Sequence, residues 1–355
     1  MRSTICLAED REACEPALKL LLLSLTRHSP TEAVSLFYPP ARGGFVNWLK
    51  RCPQVRLETD CLTGGYGWNV KPQALMWMIE RGFDQVIWID SDVIINRDVL
   101  GIFARLESNT LVATEDALGD NRDHRDALRA RLWGFPVGRV FPFGLNSGVL
   151  RVTKDHCNLL ARWWKLLQSN AYQESQKTEW QCRPLHMLGD QDVLTALLTS
   201  KEFSHIPIHI LRMGKDILQY NGVYGYSVTE RIANLISGPP AFIHSFGAKP
   251  WSTRWRTRAS LNPREYTKQL YLDLSPYTFS AKRFRQELEC DTEWMEPHGS
   301  LSRVLRVLGT GRSELIGFPI AAVMDLVRVA KWIKRPRSSR HRPLEIVGPR
   351  TAREH

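Results

Sequence analysis

Apolar and polar positions along this chain fall into alternating strand-like and helix-like patterns. STICLA (3–8) is a short apolar run of strand length. ACEPALKLLLLSLTRHS then spaces its apolar residues helically, and AVSLFYP (33–39) reads as a second strand closed by Pro39-Pro40. RGGFVNWLKRCPQVRLETD predicts a helix and a third short strand. NVKPQALMWMIERG (69–82) predicts a helix with Pro72 in its first turn and Gly82 just past its end. DQVIWIDSDVII follows as one strand, and its continuous apolar run is the mark of burial on both faces. This strand–helix–strand rhythm predicts an α/β chain with a mostly parallel, doubly wound sheet.

Farther on, TLVATED (110–116) and LNSGVLRVT (145–153) read as strands, separated by a charge-mixed, glycine-punctuated segment, 117–144, without sustained period. A segment of that length without structure of its own suits a lid or binding loop. Trp133 and Phe135 within it either offer an apolar face to a ligand or simply pack. KDHCNLLARWWKLLQSNAYQ predicts a helix, GDQDVLTALLTS a short capped helix, and PIHIL and PAFIHSF later strands. The body is expected to end near Pro276, giving a main domain at 1–276 and an extension at 277–355. Within that extension, 277–312 reads as polar and irregular.

Composition narrows the class. An apolar fraction of 43% and twelve tryptophans describe a globular chain rather than a disordered one. Seven scattered cysteines with no C-x-x-C pair argue against a disulfide framework or a zinc cluster and suit a reducing compartment. MRSTICLAEDREACEP lacks the basic and apolar regions of a signal peptide, and ALKLLLLSL is too short to span a membrane. The expectation is a cytoplasmic protein. Of the net charge of +11, +7 lies from Arg328 onward, where nine Lys/Arg face two acids. Such a tail suits an anionic partner: lipid headgroups, nucleic acid or an acidic protein.

The chemistry starts at Asp90-Ser91-Asp92, where two carboxylates interrupt the apolar run. Ionised side chains are costly to bury, so the pair requires a reason. In open α/β sheets the ligand crevice lies beyond the carboxyl ends of the strands. On one strand, both acids would point the same way and could hold one hard divalent cation, or one the cation and the other a ribose. The plain alternative is a pair of turn residues capping the next element.

VIWIDSDVIINRDV, LNSGVLRVT, GDQDVLTAL and HSFGAKPW occur in an order that resembles GT-A glycosyltransferases. The resemblance is to the retaining family 8 group typified by glycogenin and lipopolysaccharide galactosyltransferases, and covers roughly 3–256. It implies a Rossmann-like GT-A fold in which a nucleoside-diphosphate sugar, UDP-linked, donates a hexose to a glycan or glycolipid hydroxyl with retention. Asp90, Asp92 and His244 would hold Mn²⁺ or Mg²⁺, and Gly247 and Lys249 would contact the diphosphate. Asn146, Asp190 and Gln191 would surround the transferred sugar, with Gln191 near the anomeric carbon. Asp116 would face the donor sugar, and Ala8 and Glu9 the base and ribose; Lys71 would reach a phosphate. The turn after the first strand keeps the acids but has no Asn-Tyr, and one residue separates Gly247 from Lys249 where the family has two. Ordinary structural roles stand beside these: a strand-end histidine at 244, a helix start at 190–192, a solvated lysine at 71.

SELIGFPIAAVMDLVRVAKWIK (313–334) predicts an amphipathic helix with Val323, Leu326, Val327, Ala330 and Ile333 on one arc and Asp325, Arg328 and Lys331 on the other. Followed by its basic tail, with Trp332 near its end, it would lie on an anionic membrane through residues 313–342; alternatively its apolar arc packs on the body. Two rivals remain. A nucleotidyltransferase would need a glycine-rich basic loop after the first strand, which LAEDREACEP lacks. A nucleic-acid-binding protein would interleave basic and aromatic residues over a folded surface, whereas here the excess charge is terminal, so no nucleic acid is expected.

Overall fold

The computed structural model describes residues 2–59, 62, 67–120, 125–220, 226–252, 262–309 and 311–334, with only the backbone at 117–120, 220, 328–329 and 331–334. Its strands are β1 (Ser3–Ala8), β2 (Val34–Phe37), β3 (Val55–Leu57), β4 (Gln85–Ile89), β5 (Val93–Ile95), β6 (Leu111–Asp120), β7 (Phe143–Thr153), β8 (Ile208–Leu211), β9 (Ile217–Tyr220) and β10 (Phe242–Phe246). Seven of them form a sheet in the order β3-β2-β1-β4-β7-β6-β8. Only β7 runs against the others, pairing antiparallel with both β4 and β6. The mostly parallel α/β sheet expected from the sequence is therefore present.

Both faces of this sheet are covered, which explains the continuous apolar runs. Ile87 and Ile89 of β4 enter one core, with Leu18 and Leu21 of the helix Glu15–His28. Val86 and Trp88 enter the other, with Leu75 of the helix Lys71–Glu80 and Leu160 of the helix Cys157–Leu167. Each fully buried side chain of this kind contributes about 1.5–3 kcal/mol. Gly82, at φ +85°, ends the 71–80 helix in the left-handed conformation that glycine tolerates.

The run DQVIWIDSDVII is not one strand. It breaks at Asp90-Ser91-Asp92, where the Val93 amide donates to the Asp90 carbonyl at 3.1 Å. β4 stays in the large sheet, while β5 joins a second, three-stranded sheet in the order β5-β10-β9. Asp90 and Asp92 thus sit at a corner between sheets rather than on one strand.

Three other expectations change. Segment 117–144 is not a long loop: β6 extends to Asp120 and a helix occupies Arg125–Leu132. The predicted 154–173 helix splits at Ser169, whose hydroxyl accepts from the Tyr172 amide and starts a new helix, Asn170–Gln176. Residues 277–312 are largely ordered. Tyr277, Phe284, Leu288, Trp294 and Met295 are buried in the same core as Leu18, so the 15–28 helix is covered on both sides, as its apolar circumference requires. The basic tail beyond Lys334 lies outside the described residues.

Candidate functional site

A cavity of about 680 Å³ opens over the carboxyl ends of β1 and β4, and all twelve residues singled out in the sequence line it: Ala8, Glu9, Lys71, Asp90, Asp92, Asp116, Asn146, Asp190, Gln191, His244, Gly247 and Lys249. These come from seven separate stretches of chain, so their convergence is a product of the fold.

The small sheet brings the histidine to the acids. β10 pairs antiparallel with β5, with His244 opposite Val93, and the Ser245 amide donates to the Asp92 carbonyl at 2.9 Å. His244 Nε2 then lies 3.2 Å from Asp92 Oδ1 and 4.0 Å from Asp90 Oδ2. One ligand atom from each of Asp90, Asp92 and His244 falls within 4.8 Å of the others. Two carboxylates and an imidazole are a donor set that suits Mn²⁺ or Mg²⁺, and these residues fit such an ion. His244 is buried, its Nδ1 has no hydrogen-bond partner among the described residues, and Gly148 gives it room. A Cβ at 148 would come within 2.9 Å of His244 Cε1 and 2.8 Å of Asn146 Oδ1.

Lys249 carries its ammonium onto the other oxygen of Asp92 and donates to the Ser245 carbonyl at 2.7 Å. Gly247, at φ +89°, makes the turn between them. Burial works to raise the Asp92 pKa, but Lys249 and His244 together hold it well below the usual carboxylate range.

Behind the corner is a buried polar chain. Lys71, the first residue of its helix, is 2% exposed and is no solvated lysine. Its ammonium lies 3.0 Å from Asp90 Oδ1, 3.4 Å from Asp190 Oδ2 and 2.7 Å from Ser147 Oγ, which donates to Asp190 at 2.7 Å. Trp88 Nε1 donates to Asp90 at 2.7 Å. Burial lowers the Lys71 pKa, but Asp190 and Asp90 outweigh it and leave the group above its ordinary value. Burial raises Asp190 against Lys71 and Ser147.

Asp190 and Gln191 open the helix Asp190–Thr199, with Gly189 in the capping position. Asn146 Nδ2 donates to Gln191 Oε1 at 2.8 Å, and Asn146 Oδ1 accepts from the Gly148 amide at 2.7 Å. Glu9 lines the cavity with its carboxylate already engaged: Arg11 Nε and Nη2 donate at 2.7 and 2.9 Å, and Ser91 Oγ at 2.5 Å.

Sequence reasoning missed several lining residues: Arg11, Trp68, Arg125, Arg129, Trp180 and Asp192. Arg129 holds Asp192 through Nε at 2.8 Å and Nη2 at 2.7 Å; burial nonetheless pushes Asp192 up to about 6. Asp192 also accepts from the Gly189 amide, so the capping-box spacing was a signal that could have found it. Trp133 and Phe135 do not line the cavity: Trp133 donates to the His186 carbonyl at 3.1 Å, and Phe135 lies under Arg162.

No family model and no curated protein matches the sequence. Among solved structures, the chain is similar to the bifunctional glycosyltransferase WbbM, with 15% identity over 83% of this chain and 50% of that one, TM-score 0.48. It therefore spans half the length of that protein. It is also similar to the glycosyltransferase GlyE of Streptococcus pneumoniae TIGR4 (18% identity, 82% and 66% covered, TM-score 0.45). A third is the galactosyltransferase LgtC, solved with donor and acceptor sugar analogs (15% identity, 80% and 99% covered, TM-score 0.42).

Proposed function

We propose that this chain is a GT-A-type glycosyltransferase that moves a hexose from a nucleoside-diphosphate sugar, UDP-linked, to a glycan or glycolipid hydroxyl with retention of configuration. The observation that carries this reading is the Asp90–Asp92–His244 cluster sharing one cavity with the Asn146–Gln191 pair and the Lys71–Asp190 chain.

Asp90, Asp92 and His244 would hold Mn²⁺ or Mg²⁺, which supplies Lewis-acid stabilisation of the departing diphosphate. The residues of the chain do the rest. Lys249 adds a cation beside the same oxygens. Gln191, oriented by Asn146, presents its amide to the reacting carbon, and Asp190, held by Lys71 and Ser147, accepts from sugar hydroxyls. The deciding experiment is Mn²⁺-dependent hydrolysis of a panel of nucleotide-sugars by the wild type and Asp92→Ala. Turnover of one donor, lost in the variant, is expected; equal rates, or no donor turned over, would overturn the reading.

The second part of the reading is peripheral attachment to an anionic membrane. In the helix Phe318–Lys334, Ala321 is buried and Asp325 accepts from the Val228 amide at 2.9 Å, so Asp325 faces the body. Val323, Leu326 and Val327 face outward, as do Ile232 and Ile236 of the adjoining helix Val228–Ser237. Val323, Leu326 and Val327 are thus not what packs on the body, and an exposed apolar stripe leading into a basic tail suits an interface. No helix among the described residues is long and apolar enough to cross a membrane. Sedimentation with phosphatidylserine vesicles should fall in Leu326→Glu and on removal of 313–355; unchanged binding in both would sink the idea.

A further inference from the structure

Ten of the twelve tryptophans have described side chains, and eight of these are buried or half-buried. The two that are exposed, Trp68 at 44% and Trp180 at 55%, both line the same cavity. Water-exposed indole is costly, and large aromatic rings left open on one concave surface are what a ligand covers.

Neither ring sits on a loose support. Trp180 belongs to a single turn, Trp180–Cys182, on the segment that runs into Gly189-Asp190-Gln191. Arg183 stitches that segment together, donating to the Thr178, Gln176 and Leu188 carbonyls and to Gln176 Oε1 at 2.6–3.1 Å. Gln176 in turn donates to the Met187 carbonyl at 2.8 Å. The Trp180 indole itself makes no hydrogen bond among the described residues, so it is free to meet something else. Trp68 is anchored by its neighbours: the Gly67 amide donates to Asp10 at 2.7 Å and the Tyr172 hydroxyl to Asn69 at 2.8 Å. Its Nε1 lies close to Gly189, 3.8 Å from where a Cβ there would stand.

The cavity is graded. Lys71, Asp92, Asp190 and His244 are nearly buried around the Asp90–Asp92 corner, while Arg11, Arg125 and the two open tryptophans are the lining side chains left exposed. A nucleotide diphosphate belongs with the buried charges. A second sugar approaching from solvent meets the exposed tryptophans. The apolar C–H face of a pyranose is flat, uncharged and matched to an indole face.

We propose that Trp68 and Trp180 form the acceptor subsite, stacking on a pyranose ring of the acceptor, so that the acceptor is a saccharide or carries one beside the reacting hydroxyl. This rests on the glycosyltransferase reading, and the test separates the two. Wild type, Trp68→Ala, Trp180→Ala and Trp180→Phe are compared in two assays on the full chain. One is quenching of tryptophan fluorescence by lactose, cellobiose and methyl β-D-galactopyranoside. The other is the ratio of transfer to hydrolysis with whichever nucleotide-sugar is turned over. Stacking of this strength predicts roughly tenfold weaker binding and a similar fall in the ratio for the alanine variants, with Trp180→Phe recovering most of it. If no donor is turned over but sugar quenching is lost in the alanine variants, the subsite stands and the enzymatic reading falls. If a donor is turned over and neither the ratio nor the quenching changes, the subsite is overturned while the enzyme stands. If the donor KM rises instead of the acceptor KM, the tryptophans serve the donor hexose and the acceptor assignment is overturned.

Discussion

Asn146 grips Gln191: the Asn146 amide donates to Gln191 Oε1 at 2.8 Å while its own carbonyl oxygen is fixed by the Gly148 amide. The orientation of Gln191 is therefore inherited from β7 rather than set by its own helix. Asn146→Ala removes both of these hydrogen bonds, each of about 0.5–1.5 kcal/mol, and frees the Gln191 amide to rotate. On the proposed function, in which Gln191 faces the reacting carbon and not the nucleotide, turnover should fall about tenfold with donor KM little changed. Steady-state kinetics on the preferred donor check this.

Lys249 would compete with a divalent cation for Asp92. Its ammonium rests on one Asp92 oxygen while His244 contacts the other. Lys249→Met should therefore tighten binding of Mn²⁺ alone while weakening nucleoside diphosphate in the presence of Mn²⁺, each by several-fold to about tenfold. Mn²⁺ titration by electron paramagnetic resonance, with and without nucleotide, reads the two effects. Changes of the same sign would contradict the competition.

Gly148→Ala tests how tightly the corner is packed. The new methyl would meet both Asn146 and His244 closer than a normal contact. A stability loss of about 1–3 kcal/mol is expected from overpacking, together with weaker Mn²⁺ binding as the imidazole is pushed aside. Urea denaturation and metal titration measure the two separately.

Asp192 predicts a pH dependence of stability. Burial raises its pKa to about 6 despite Arg129, so the folded state holds its proton more tightly than the unfolded chain. The stabilisation is complete below the unfolded value near 4 and is lost as pH rises through about 6. Asp192→Asn lacks this dependence. The stability of wild type relative to the variant should therefore fall by up to about 3 kcal/mol between pH 4 and pH 7, measured by denaturant unfolding.

Removing Lys71 leaves Asp90 and Asp190 facing each other without the ammonium between them. Lys71→Met should destabilise the fold by about 3–5 kcal/mol, the usual result of orphaning a buried charge. Lys71→Arg, too broad for a site 2% exposed, should rescue only part of it. Thermal unfolding distinguishes these.

What the sequence reveals depends on whether the signal is local. β1 matches STICLA residue for residue, and the 71–80 helix has Pro72 in its first turn and Gly82 just past its end, because turn chemistry is written in neighbouring residues. The break at 90–92 was not legible: a continuous apolar run looks the same whether it feeds one buried sheet or two. The twelve lining residues were found through motifs. Trp68 and Trp180 were missed, and Trp133 and Phe135 considered in their place, because which aromatics stay open is decided by tertiary packing. The orientation of the 318–334 helix was likewise hidden. Periodicity separates an apolar arc from a polar one, but Asp325 is turned inward by the bare amide at the start of a helix nearly a hundred residues away.

The corner at Asp90-Ser91-Asp92 has a mechanical consequence. It is the covalent joint between the large sheet, through β4, and the small one, through β5, and His244 belongs to the small sheet beyond it. A divalent ion gripped by all three would act as a rivet across that joint. Occupied at a hundred times its dissociation constant, it would add about 2.7 kcal/mol against any opening that separates the sheets. That gain should show as slower amide hydrogen exchange along 93–95 and 242–246, with the far edge of the large sheet, at 55–57, exchanging as before.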